Sequence, residues 1–226
     1  MALIRAVIFD MDGTLINTGE IAETVWYLAG ESMGISAERV ARMRGGCRGR
    51  SYKDASAWFA EHESGVPFDD FMAVCESIWP LEIERRGGIA QKAGASELLS
   101  YLKQNGYRVA LATSSSNERM DYRLRMAGLR DAFDVIVTGD MIEKGKPEPE
   151  IFLRATDALG IEPCECMGVE DSLAGVEAIH RAGMFTVMVP DMVEPTPHIE
   201  AMLDAKCESL HDIIPLLQHL NQNGAN

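Results

Sequence analysis

No apolar run in this 226-residue chain reaches the ~18 residues that a membrane span needs. Its apolar start, residues 1–9, meets Asp10 and Asp12 at once, so it is too short for a signal peptide and none is expected. Cysteine is sparse: five residues, at 47, 75, 164, 166 and 207, an odd number without a CxxC pair. That argues against a disulfide framework and a thiolate metal clip. Cys164 and Cys166, two apart, are expected to face one side of a strand as core thiols, in a reduced, cytoplasmic setting. Positive charge is also scarce. Lys and Arg number 21 against 35 Asp and Glu, a net charge of −14, which disfavours nucleic-acid and anionic-membrane partners. There is no internal repeat and no low-complexity tract, and none of the five His lies beside the residues singled out below.

The apolar content, 46%, is that of a globular protein, and the length corresponds to about one and a half domains. The order of elements accounts for the surplus. Residues 2–9 read as a buried strand. Residues 20–34, 51–63 and 67–86 then read as helices, and Trp26, Trp58, Phe59, Phe71 and Trp79 supply a small core for them. After the Gly87-Gly88 joint, helices at 95–105, 117–127, 149–160 and 172–182 alternate with strands at 107–112, 134–138, 164–169 and 184–189, and a short amphipathic helix follows at 209–220. Such alternation implies a parallel sheet covered on both faces. The predicted fold is α/β: a doubly wound, Rossmann-like core formed by residues 1–17 and 87–226, with an inserted α-helical domain at 18–86.

Ligands of an open parallel sheet bind beyond the carboxyl ends of its strands. Those ends carry Asp10-Met11-Asp12-Gly13-Thr14, then Thr113-Ser114-Ser115-Ser116-Asn117, then Lys144-Gly145-Lys146-Pro147 past a loop, then Glu170-Asp171-Ser172. Four carboxylates against Lys146 leave such a site at −3; Mg²⁺ brings it to −1, and a proton on Asp12 to zero. Strict metal dependence and one protonated carboxyl are therefore expected. One carboxylate of the Asp10/Asp12 pair can attack phosphorus while the other transfers protons to the leaving oxygen and from water. Thr113, Ser114, Asn117 and the N–H groups opening the helix at 117–127 suit phosphate oxygens, and Lys146 supplies a compact positive charge.

Phe9-Asp10-Met11-Asp12-Gly13-Thr14-Leu15, Ala112-Thr113-Ser114, Gly145-Lys146-Pro147-Glu148-Pro149-Glu150-Ile151-Phe152 and Gly168-Val169-Glu170-Asp171-Ser172 resemble, in order and spacing, the four motifs of the haloacid dehalogenase-like hydrolases. The helical insert resembles that family's small helical cap, in its phosphatase and β-phosphoglucomutase-like branch. The resemblance implies a phosphatase acting on a small phosphorylated metabolite, most simply a sugar phosphate. It implies Asp10 as nucleophile and Asp12 as general acid/base. It also implies Mg²⁺ held by Asp10, the Asp12 backbone carbonyl and Asp171, with Glu170 assisting. Asp12 argues against the metal-free dehalogenases. The lack of His in residues 16–25, where β-phosphoglucomutase places one, counts against a mutase, and Asn17 stands where these phosphatases usually carry Asp. A non-catalytic phosphate-binding module would need no general acid, and a phosphoacceptor regulatory domain would not account for the helical insert. A monomer or weak homo-oligomer is expected.

Residues 39–53 hold Arg39, Arg42, Arg44, Arg48, Arg50 and Lys53 and no acid. Two readings stand side by side: a solvated helix end and loop, or a loop facing the site, which Gly45-Gly46 and Gly49 would let approach closely and in which Arg48 or Arg50 grips the non-transferred part of an anionic substrate.

Overall fold

A computed structural model describes residues 3–48 and 52–224. They divide into two compact units, residues 18–89 and the remainder.

The larger unit is built on a six-stranded, all-parallel sheet: β1 (Ala6–Phe9), β2 (Arg108–Thr113), β3 (Val135–Thr138), β4 (Cys166–Glu170), β5 (Phe185–Met188) and β6 (Ala205–Lys206), in the order β3-β2-β1-β4-β5-β6. Every residue of β1 and β4 is buried, as a central parallel strand covered on both faces requires. The chain runs outward from β1 to β3 on one side and from β4 to β6 on the other, so the topological switch point lies between β1 and β4. Their register sets Phe9 against Val169, and Asp10 and Glu170 leave the sheet side by side.

The smaller unit consists of α1 (Gly19–Ser32), α2 (Ala37–Cys47), α3 (Tyr52–His62) and α4 (Phe68–Arg86). Trp26 meets Phe71 edge-on at 5.0 Å between ring centroids, and Phe59 meets Phe68 at the same distance. Two buried glutamates are each bracketed by two arginines. Glu63 takes Arg39 at 2.7 Å and Arg42 at 3.0 Å; Glu82 takes Arg85 at 2.7 Å and Arg86 at 2.6 Å. Hydrogen bonds from Arg85, and then from Arg86 against the cost of burial, hold the Glu82 carboxyl down at about 2.

Here the sequence reading needs correction. As far as residue 47 the basic run is helix, not loop: residues 37–47 are α2, opened by the Ser36 side chain accepting from the Arg39 N–H. Its arginines are paired, Arg39 and Arg42 with Glu63, and Arg44 with Glu23 at 2.9 Å. At Gly46 the close approach is to the Trp58 ring, which a Cβ there would run into. The cysteine pair also departs from expectation. Cys164 is exposed in a 3-10 turn ahead of β4, and Cys166 alone of the two is buried in the strand, where burial pushes its thiol up to about 12.

The larger unit's remaining helices are α5 (Ala95–Gln104), α6 (Asn117–Met126), α7 (Glu150–Leu159), α8 (Leu173–Arg181), α9 (Pro197–Glu200) and α10 (Ile213–Gly224). Among the described residues no helix is long and apolar enough to cross a membrane.

Candidate active site

The chain leaves β1 into a tight turn. Leu15 and Ile16 both return N–H bonds to the Met11 carbonyl, and the Gly13 N–H reaches the Ile16 carbonyl. Gly13 stands at φ +91, in the region that favours glycine, and a Cβ there would collide with Asp171 Oδ2. The turn thus brings the β1 and β4 loops together. Thr14, fully buried, donates its hydroxyl to Asp171 Oδ1 at 2.9 Å.

Lys146 is the hub. Its Nζ lies 2.6 Å from Asp10 Oδ1, 2.6 Å from Glu170 Oε1 and 3.1 Å from the Ala112 carbonyl, and sits 5.1 Å from the Phe152 ring centre. Lys144 is exposed. Both carboxylates and the ammonium are nearly dry, with side-chain exposures of 10% for Asp10, 1% for Glu170 and 7% for Lys146. Burial pushes Asp10 up to about 8, against the pull of Lys146 and with Glu170 and Asp12 adding to the rise. Burial, then the charges of Glu170 and Asp10, likewise raises Asp171 well above the usual carboxylate range. For Lys146 burial works the other way, but Asp10 and Glu170 outweigh it and keep the amine protonated.

Carboxylate oxygens of Asp10, Glu170 and Asp171 lie within 4.8 Å of one another. This hard-oxygen set fits a hard divalent cation. The donors are unequal. Glu170 spends Oε1 on Lys146 and Oε2 on the backbone N–H groups of Asp171 and Ser172, at 2.8 and 2.7 Å. Asp10 Oδ2 and Asp171 Oδ2 take no hydrogen bond from the described residues, which leaves them the better ligands.

Asp12 lies in the same turn. Its Oδ2 accepts from the Ser115 hydroxyl and from Arg123 Nη1, each at 2.9 Å, and its Oδ1 is buried with no hydrogen-bond partner among the described residues. Neither Ser115 nor Arg123 was a sequence candidate. Arg123 changes the charge count: four carboxylates, counted as ionised, against two cations give −2 rather than −3.

Thr113, 1% exposed, ends β2 and accepts the Ser115 N–H at 3.1 Å; Ser114 is exposed just after it. The Asn117 N–H is taken by Asp140 Oδ2 at 2.6 Å, and that of Arg119 by Ser116 Oγ. The opening turn of α6 therefore offers fewer donors to an anion than the sequence suggested. Arg48 is exposed at the end of α2, and Arg50 lies outside the described residues.

Fold and site together define an α/β enzyme with an acidic, metal-suited centre at the topological switch point. The chain belongs to the haloacid dehalogenase-like hydrolase family, whose model matches residues 4–183. It is 32% identical over 185 residues to hexitol phosphatase A of Escherichia coli, covering 82% of each chain. It is 32% identical over 215 residues to the bifunctional riboflavin kinase/FMN phosphatase of Arabidopsis thaliana; the match takes in 93% of this chain, which spans 55% of that longer protein. Among solved structures, CbbY of Rhodobacter sphaeroides in complex with phosphate superposes with a TM-score of 0.74 at 26% identity, covering 93% of this chain and 96% of that one.

Proposed function

We propose that this enzyme is a Mg²⁺-dependent phosphatase that hydrolyses a small phosphorylated metabolite, most simply a sugar phosphate, through an aspartyl phosphate on Asp10. The observation that carries the reading is the dry Asp10–Lys146–Glu170 cluster at the switch point, with a second carboxyl two residues beyond Asp10. A hexitol phosphatase among the relatives and a phosphate-bound neighbour support it.

Asp10 and Asp171 would hold Mg²⁺ with the Asp12 carbonyl, while Glu170 orients Lys146 and the β4 loop. When bound, the ion supplies positive charge to the phosphoryl oxygens. In the first step an Asp10 oxygen bonds to phosphorus, the phosphorus–ester oxygen bond breaks, and Asp12 gives that oxygen its proton. In the second, Asp12 takes a proton from water, the water oxygen bonds to phosphorus, and the Asp10 carboxylate leaves. Lys146 stays protonated throughout and balances the charge that builds on the transferring group. Thr113, Ser114 and Asn117 border the phosphate at the ends of β2 and α6. We assign residues 18–86 as the cap, with Arg48 or Arg50 gripping the part of the substrate that is not transferred.

The test is a panel of sugar, polyol, nucleotide and acid phosphates, with and without Mg²⁺, run on the parent and on Asp10→Asn. Mg²⁺-dependent release of phosphate that Asp10→Asn abolishes, with the fold retained, is the expected result. Activity of Asp10→Asn near the parent's overturns the mechanism. Transfer of phosphate to a sugar in place of water would make the enzyme a mutase.

A further inference from the structure

We infer that Glu150 is a positioning residue for Lys146: its carboxylate closes the loop that carries the lysine and so holds Nζ between Asp10 and Glu170. The consequence for catalysis rests on the reading of Lys146 as the cation that serves phosphoryl transfer. Lys146 Nζ meets three acceptors at once, Asp10 Oδ1 and Glu170 Oε1 at 2.6 Å and the Ala112 carbonyl at 3.1 Å. The backbone it hangs from offers little restraint of its own. Residues 142–149 lie outside helix and strand, and Glu143, Lys144 and Gly145 are exposed. A Cβ at Gly145 would have open space around it, so no packing fixes the chain there.

Glu150 is the first residue of α7, where the positive end of the helix dipole favours a carboxylate. Its side chain turns back onto the loop. Oε2 accepts the Lys144 N–H at 2.9 Å, and the two oxygens share the Glu143 N–H at 3.1 and 3.2 Å. Arg154, one turn further along α7, donates Nε to Oε1 at 3.0 Å and keeps the carboxylate facing that way. One carboxylate thus ties residues 143 and 144 to residue 150, with Lys146 inside the closed segment. A second tie is longer and more exposed: Arg181, 43% exposed, reaches the Pro147 carbonyl at 3.3 Å and Glu148 Oε1 at 3.2 Å. Glu150 acts through the backbone of Lys146 and touches no reacting atom.

A carboxylate that only stabilised α7 would leave Lys146 where it is. Two measurements separate that role from positioning. The first is a double-mutant cycle in kcat/KM on p-nitrophenyl phosphate with saturating Mg²⁺. Glu150→Ala should lose roughly 10–100-fold, the usual effect of removing a group that orients a site residue. On a Lys146→Met background the same change should lose less than about threefold, because the residue it acts through is gone. Glu150→Gln, whose carbonyl oxygen can still accept the Lys144 N–H, should recover part of the activity, and Arg154→Met should lose less than Glu150→Ala. The second measurement needs no turnover: brief labelling with acetic anhydride, read lysine by lysine by mass spectrometry. Lys146, 7% exposed and held by two carboxylates, should label several-fold faster in Glu150→Ala than in the parent. Lys92, paired with Asp191 at 2.6 Å and 21% exposed, should label at the parent's rate. Should Glu150→Ala fail to fold, Glu150→Gln and Arg154→Met carry both comparisons. Equal losses on the two backgrounds, or Lys146 labelling no faster than in the parent, overturn the assignment of Glu150. A parent without Mg²⁺-dependent turnover overturns the phosphatase reading instead, and the labelling still decides whether Glu150 holds the lysine.

Discussion

Replacing Lys146 with Met keeps most of the side-chain volume and removes the one cation bonded to both Asp10 and Glu170. Its cost follows from the site's dryness. Loss of one partner from a buried ion pair is typically worth about 3–5 kcal/mol. The two carboxylates do not share it equally. Asp10, already pushed up to about 8 by burial, escapes by taking a proton near neutral pH. Glu170, 1% exposed and with its other oxygen fixed on two backbone N–H groups, is left facing Asp171 and the Ala112 carbonyl loses its donor. We therefore place the loss at the lower end, about 3 kcal/mol without metal, or roughly 6–12 °C in melting temperature for a chain of this size. All three tryptophans, Trp26, Trp58 and Trp79, lie in the smaller unit, so their fluorescence does not follow this site. The assay is calorimetry or far-UV circular dichroism in EDTA and then in excess Mg²⁺. Metal should restore more of the melting temperature in the variant than it adds to the parent, because it supplies the missing charge. Turnover should remain down by roughly 10²–10³ even when the fold is restored, as for other lost electrostatic contacts to a transition state. A variant that melts within about 2 °C of the parent in EDTA refutes the reasoning, for it would mean that the ammonium is not what makes the carboxylate cluster tolerable.

Gly13→Ala should weaken metal binding more than it weakens the fold, since it pushes a methyl into Asp171 Oδ2 and adds about 1–2 kcal/mol of backbone strain at φ +91. Titrating activity on p-nitrophenyl phosphate with Mg²⁺ checks this; roughly a tenfold or greater rise in the half-saturating concentration is expected, in the range of changes to groups that orient metal ligands. Glu82 gives the smaller unit an acid-sensitive stability. Its folded value of about 2 lies below its ordinary 4.5, so the stabilisation is complete above pH 4.5 and is lost as pH falls toward 2. Glu82→Gln should cost about 1–3 kcal/mol at pH 7, read by tryptophan fluorescence, and the gap between parent and variant should close across that acid window. A gap that stays constant from pH 7 to pH 3 would falsify the ion-pair account.

The strand-end motifs are legible in sequence because parallel topology leaves little freedom. Each strand delivers its C-terminal residues to one edge, so Asp10, Thr113 and Glu170, far apart in the chain, are neighbours once the α/β alternation is recognised. What lies beyond the strand ends is set by tertiary partners. Six residues past Asn117, nothing in the polar pattern of α6 distinguishes Arg123, which turns inward to Asp12, from Arg125, which turns out to Asp121. The helix α2 is hidden for a related reason. Two glycines and four arginines near it leave a helix end and a loop equally open, and what makes it a helix is the burial of Val40 and Met43 together with Glu63 and Glu23, which lie elsewhere in the sequence. Both cases concern arginine, and both have one physical source. A guanidinium is stabilised where it finds a carboxylate, and that carboxylate's position in the chain is free. The net charge of −14 therefore says little about the centre itself, where two cations, held by Asp10, Asp12 and Glu170, leave four carboxylates at a local balance of −2, the charge that a single divalent ion cancels.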